Sequence, residues 1–196
     1  MTCDDGSAAR AAGWALPVGL RDVVCFDCQA TGATPAHGHL LEVAWDGPRG
    51  RAHVVQLPEG EEIPARVCAL TGIGADDVVA GLVPSRVLSG LRGALWPGLG
   101  DCAGPEAWSD PLPLGARPRA LVVHFAQFET RWLQQLWGAQ RLPFQVICTH
   151  EIARRLYPEL PSRGLRSLAG YLGYDSPELK RAPDHVAATR FIWEIV

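Results

Sequence analysis

The stretch Val23–Gly32, VVCFDCQATG, decides how this sequence folds. Val23 to Asp27 is a short apolar run closed by an acid and followed by Thr-Gly turn chemistry, a pattern that predicts a buried strand ending at Asp27. Side chains on a strand repeat every two residues, so Asp27 and Gln29 share one face, a carboxylate beside a neutral amide. The same stretch contains Cys25 and Cys28 at C-x-x-C spacing. On a strand those two point to opposite faces, and no second Cys/His pair at zinc spacing follows, which argues against a metal or redox role. The six cysteines are scattered without a secretory context, so reduced thiols are expected.

Outward from that stretch, length and composition set bounds. With 196 residues and 47% apolar content, the chain fits one compact α/β domain. It holds no apolar run of about 18 residues, and its N-terminus lacks the basic-then-apolar order of a signal peptide. A cytoplasmic protein with no membrane partner is the expectation. The formal charge of −3 excludes a basic coat over the whole surface and leaves room for a local groove. Arg141–Arg181 carries seven basic residues against four acidic ones, a mild local excess.

Residues 1–20 read as a loose leader and 21–196 as the folded domain. After the first strand, Leu40–Trp45 (LLEVAW) alternates around Glu42, and Ala52–Leu57 is β-branched and half polar. The Gly and Pro turns between these runs predict an antiparallel meander. IPARVCALTGIGADDVVAG reads as a short helix, a Gly-marked turn and an Asp-initiated segment, followed by a helix from about Ser85 to Leu95. Residues 97–119 hold five prolines and four glycines and read as a long loop. RALVVHF is then a buried strand, QFETRWLQQLWG an amphipathic helix with Phe128, Leu133, Leu136 and Trp137 inward, and FQVICT a strand. From Thr149 the chain is helical, with breaks at Pro158–Ser162 and Gly173–Pro177. Three strands followed by alternating β and α predict an α/β fold with a mixed sheet flanked by helices.

Five fragments in this order, FDCQATG, IPARVCALTGI, VVHFAQFE, CTHEIARRLYP and KRAPDHVAAT, resemble the ribonuclease H-like fold of the DnaQ-like (DEDD) 3′-5′ exonucleases. The similarity is greatest to the exodeoxyribonuclease X and polymerase proofreading-subunit branches and covers about Arg21 to Val196. It implies hydrolysis of phosphodiester bonds at a single-stranded 3′ end, DNA ahead of RNA, with two Mg²⁺ or Mn²⁺ ions held by four carboxylates and a histidine base. In that pattern Asp27 matches the bridging ligand, Gln29 stands where the family has Glu, and Glu129 where it has Asp. Lys180 falls on the general-base His and His185 on the last Asp, whereas a shift by one makes Asp184 the carboxylate. The candidate catalytic set is therefore Asp27, Gln29, Glu129, Asp184 and His185, with Asp27, Glu129 and His185 as the metal ligands.

Ala30, Thr31 and Gly32 are the candidates for presenting backbone N–H groups to the terminal nucleotide, Gly32 otherwise being a turn residue with positive φ. Phe125 replaces a family Asn and either stacks on a base or fills core. Glu129 is otherwise an exposed first-turn acid, Asp184 a first-turn acid beside Pro183, and His124 a residue that holds backbone. His37, His39, His53 and His150 have no assigned chemistry, and register decides whether Glu42 faces the site. Two readings of different class follow: a divergent, metal-dependent 3′-5′ exonuclease, or an exonuclease fold that has lost hydrolysis and binds nucleic acid or protein. The chain ends inside an apparent helix, TRFIWEIV, which suits the leading domain of a longer protein with a fused or separate partner.

Overall fold

A computed structural model describes residues 22–47, 50–96, 117–175 and 178–196. The strand predicted from Val23 is β1 (Val23–Ala30), three residues longer than its apolar run because pairing to β2 (Leu40–Trp45) continues as far as Ala30 opposite Leu40. The meander closes with β3 (Arg51–Val54). This strand is shorter than its β-branched stretch because the chain leaves the ladder: Gln56 N–H donates to Leu82 O (2.9 Å) and Leu82 N–H to Val54 O (2.9 Å). Two short helices, α1 (Ala65–Thr71) and α2 (Ala75–Val79), lead to α3 (Pro84–Leu95), which begins on proline, a residue suited to the first helical turn.

Arg119 joins the next strand to the end of α3: its N–H donates to Leu95 O (2.7 Å) and its Nη1 to Ala94 O (2.9 Å). β4 (Ala120–Val123), α4 (Ala126–Trp137) and β5 (Val146–Cys148) then form a parallel β-α-β unit. Gly138 stops α4 in the left-handed region at φ 62°, where a Cβ would be strained. Three helices finish the chain, α5 (Thr149–Leu156), α6 (Leu165–Tyr171) and α7 (Ala182–Ile195), with the breaks between them where the Pro- and Gly-containing segments predict them. The leader at 1–20 and residues 97–116 of the long loop lie outside the described residues.

The sheet order is β3-β2-β1-β4-β5, with β1 antiparallel to β2 and parallel to β4. The architecture is therefore the mixed α/β sheet flanked by helices that the sequence predicts. Strand alternation splits β1 between two cores. Val24, Phe26 and Cys28 pack with Leu91, Leu95, Trp132 and Leu133 of α3 and α4, while Val23 and Cys25 pack with Val122, Ala182 and Val186, two of them on α7. The two cysteines thus face opposite ways and are free thiols. Fully burying a side chain such as Phe26 is worth about 1.5–3 kcal/mol. Contributions of that size offset the cost of the acids Asp27, Glu42 and Glu129, all buried around the same sheet. Among the described residues no helix is long and apolar enough to cross a membrane.

Candidate active site

β1 is central and its neighbour β4 is parallel to it, so their carboxyl ends open on one side of the sheet, where α7 begins and α4 starts its first turn. Asp27 sits there, 5% exposed. His185, in the first turns of α7, brings Nδ1 to 3.2 Å from Asp27 Oδ2 and 3.3 Å from Oδ1. Its Nε2 faces the Leu179 carbonyl at 3.3 Å. A carbonyl only accepts, so Nε2 carries a hydrogen; a proton on Nδ1 then completes an imidazolium–carboxylate pair. Burial draws the His185 pKa down, but the hydrogen bond and charge of Asp27 outweigh it, and the net direction is up. Burial also pushes Asp27 up, against the opposing pull of His185. Together they hold one shared proton to higher pH than an isolated imidazole would.

Gln29 lies on the same face and its Nε2 is 3.3 Å from Asp27 Oδ2 and 3.2 Å from His185 Nδ1. With the proton on Nδ1, the Gln29 amide donates to Asp27 and not to His185. Gln29 therefore orients the carboxylate without adding charge.

Directly across the ladder from Gln29 stands Glu42, which the register places on the Asp27 face at 2% exposure. It is not a spare acid for the site. Its Oε1 accepts both Nε (2.9 Å) and Nη2 (2.6 Å) of Arg181, and its Oε2 accepts the Ala182 N–H at 2.8 Å. This clamp fixes the start of α7 against β2 and so sets where His185 falls. Asp184 completes the same turn: its Oδ2 accepts the N–H groups of Arg181 (3.0 Å) and Lys180 (3.3 Å). Asp184 is thus spent on the helix start, and His185, not Asp184, is the residue beside Asp27. Arg181 has no sequence signal pointing to Glu42, 139 positions away.

Glu129 is 4% exposed, not the exposed first-turn acid that its helix position allows. The reason lies in strand lengths. β4 pairs with β1 only over Val23–Cys25, leaving the Cys28 N–H beyond the ladder, and Glu129 Oε2 accepts it at 3.1 Å. Burial first, and the charge of Asp27 second, push the Glu129 carboxyl well above its ordinary range. Among the described residues no lysine or arginine forms an ion pair with either Asp27 or Glu129.

The remaining expected site residues divide. His124 is buried and holds backbone. Its Nε2 lies 2.8 Å from Arg163 O and its Nδ1 2.9 Å from Thr149 Oγ1. Burial lowers its pKa to about 4, so the ring is neutral, Nε2 carries the hydrogen and Nδ1 accepts from the Thr149 hydroxyl. Thr31 cannot offer its N–H to a ligand, because His39 O takes it at 2.9 Å. Ala30 follows an irregularity in the ladder and packs against the core. Gly32 does not have a positive φ; an added Cβ there would stand 2.2 Å from His37 O, so close backbone approach, not turn geometry, demands glycine. Phe125 does not fill core: it caps α4 at 47% exposure.

Hard divalent cations take anionic oxygen, and Asp27 and Glu129 are carboxylates that could give it, with no basic side chain other than His185 paired to either among the described residues. That chemistry fits one cation held by Asp27 and Glu129. It does not fit the pair of ions that the family resemblance implies: Gln29 is neutral, Asp184 is turned to its own helix, and among the described residues no group of three or more His, Cys, Asp or Glu is placed to hold a metal ion.

Solved structures share this architecture. The chain is similar to exonuclease X in complex with 5′ overhanging duplex DNA, at TM-score 0.57 and 19% identity over 87% of this chain and 89% of that one. It is also similar to E. coli exonuclease I in complex with a dT13 oligonucleotide, at TM-score 0.65 and 13% identity over 89% of this chain and 40% of that one. The zinc ion bound E. coli ExoI–ssDNA complex gives TM-score 0.64 and 12% identity over 86% and 38%. The chain thus spans most of exonuclease X and about two fifths of exonuclease I. No protein-family model matches the sequence, and no curated relative matches it. At these identities the likeness concerns architecture: the chain has the ribonuclease H-like fold of the solved exonucleases.

Proposed function

We propose that this chain is a nuclease-like protein that takes the 3′ end of a single strand, DNA ahead of RNA, and hydrolyses its terminal phosphodiester slowly with one divalent cation. The observation that carries this reading is the burial of Asp27 and Glu129 at the same end of the sheet, neither paired with lysine or arginine among the described residues. Buried carboxylates cost several kcal/mol each unless protonated or met by positive charge. Mg²⁺ or Mn²⁺ bound to them would supply charge for the phosphate oxygens and a more acidic water. Asp27 is the oxygen donor that His185 and Gln29 orient, and Glu129 is fixed by the Cys28 N–H. His185 holds a proton at Nδ1 against the Asp27 carboxylate and is the residue assigned to protonate the departing oxygen. The backbone of Ala30 and Gly32 and the ring of Phe125 line the approach of the terminal nucleotide.

A second reading, binding without hydrolysis, is favoured by one specific observation: the last carboxylate of the family pattern is absent from the site, its neighbour Asp184 being consumed in the α7 cap. One experiment separates the two. With Mn²⁺ or Mg²⁺, purified protein should release nucleotides from a 3′-labelled single strand, and Asp27→Asn should abolish the release. No release, with binding of the strand intact, leaves the binding module.

A further inference from the structure

We propose that Phe125 and His150 form a stacking platform for an unpaired base beside the buried carboxylates. The proposal rests on the nucleic-acid reading above. Phe125 lies between β4 and α4, and its carbonyl accepts the N–H groups of Phe128 (2.9 Å) and Glu129 (3.2 Å). The ring is therefore carried one helical turn ahead of Glu129.

Its exposure is not that of a loose side chain. The Phe125 ring meets His150 edge-to-face at 5.4 Å and 89°, and His150 meets His124 in the same way at 5.7 Å and 89°. The innermost ring is fixed through both nitrogens, to Thr149 and to Arg163 O. Three rings thus run from the buried His124 through the partly exposed His150 to the exposed Phe125. A braced ring loses little freedom when a ligand stacks on it, and every base has a π-face to offer.

The surroundings suit a polyanion carrying a planar ring better than an apolar protein surface. Phe125 is flanked by the polar His150, and Arg154, four residues on from His150 and so on the same face of α5, is exposed. Among the described residues Arg154 is held there by exposed Glu151 alone, at 2.9 Å, a pairing weak enough to yield to a phosphate.

The test uses the full chain without divalent cation, titrated with short single-stranded oligodeoxynucleotides carrying 2-aminopurine at the last, second-last or third-last position. Binding should quench fluorescence at one of these positions. Phe125→Ala, an exposed substitution checked by circular dichroism, should remove that quenching and weaken binding roughly ten- to hundred-fold, while Phe125→Trp should keep both. A blunt duplex should bind more weakly than the single strand and with no dependence on Phe125. Quenching and affinity indifferent to Phe125→Ala would overturn the platform and leave the nucleic-acid reading standing. Failure of every oligonucleotide to bind would overturn that reading and the platform with it. Unchanged DNA affinity, with a self-association that Phe125→Ala abolishes, would assign the ring to a contact between copies instead.

Discussion

Arg181→Ala tests how the site is held together. Glu42 is 2% exposed, and three donors satisfy it: Arg181 Nε and Nη2 on Oε1, and the Ala182 N–H on Oε2. The substitution removes the first two and leaves a buried carboxylate with one hydrogen bond. Removing one partner of a buried pair costs about 3–5 kcal/mol. The Arg181 side chain is 35% exposed, so water can reach that end of the pair and the expected loss falls to about 2–3 kcal/mol. For a chain of this size that corresponds to a melting temperature lower by about 4–12 °C. Urea unfolding, followed by intrinsic tryptophan fluorescence and far-UV circular dichroism, measures it directly. Adding Glu42→Gln to Arg181→Ala should recover part of the loss, because the stranded group is then neutral. Arg154→Ala, which breaks only the exposed pair with Glu151, should cost under about 1 kcal/mol. An Arg181→Ala variant within about 0.5 kcal/mol of the parent would refute the clamp.

Two further perturbations bear on the site and on the loop beside it. In the metal-free protein the Asp27–His185 pair and Glu129 hold protons to higher pH folded than unfolded, so the stability they contribute is full at low pH and lost as pH rises through their folded values. His124 has the opposite sign: its pKa falls from 6.5 to about 4 on folding, and its contribution is lost as pH drops across that window. Urea midpoints should therefore decline on the alkaline side, and Glu129→Gln should flatten that decline; an unchanged slope would contradict the burial argument. Gly32→Ala should lower stability by about 1–3 kcal/mol, because its Cβ would meet His37 O at 2.2 Å, and an unchanged urea midpoint would contradict that close approach.

What the sequence could reveal followed from local pattern. The run to Asp27, the alternation around Glu42 and the breaks after Leu156 and Tyr171 are properties of neighbouring residues, and they mark the elements well. The burial of the site residues depends on where strands stop. Because β4 ends at Val123 while β1 runs on to Ala30, Glu129 turns inward to the Cys28 N–H and Phe125, at the start of α4, is left outward, both against the simplest reading of their helix positions. Glu42 and Arg181 meet across 139 positions, and no local pattern encodes that pairing. The choice between Asp184 and His185 likewise needed the cap at Arg181 to be seen, since either residue could be matched to the family pattern by a shift of one.

In the function proposed above, Asp27 and Glu129 form a cation-dependent hydrolytic site on this fold. The most direct measurement is nucleotide release from a 3′-labelled single strand by the full chain, with and without Mn²⁺ or Mg²⁺, beside Asp27→Asn and Glu129→Gln at matched stability. The expected result is slow release that requires the cation and disappears in both variants, while strand binding persists. Release that survives chelation, or that survives both substitutions, would contradict it.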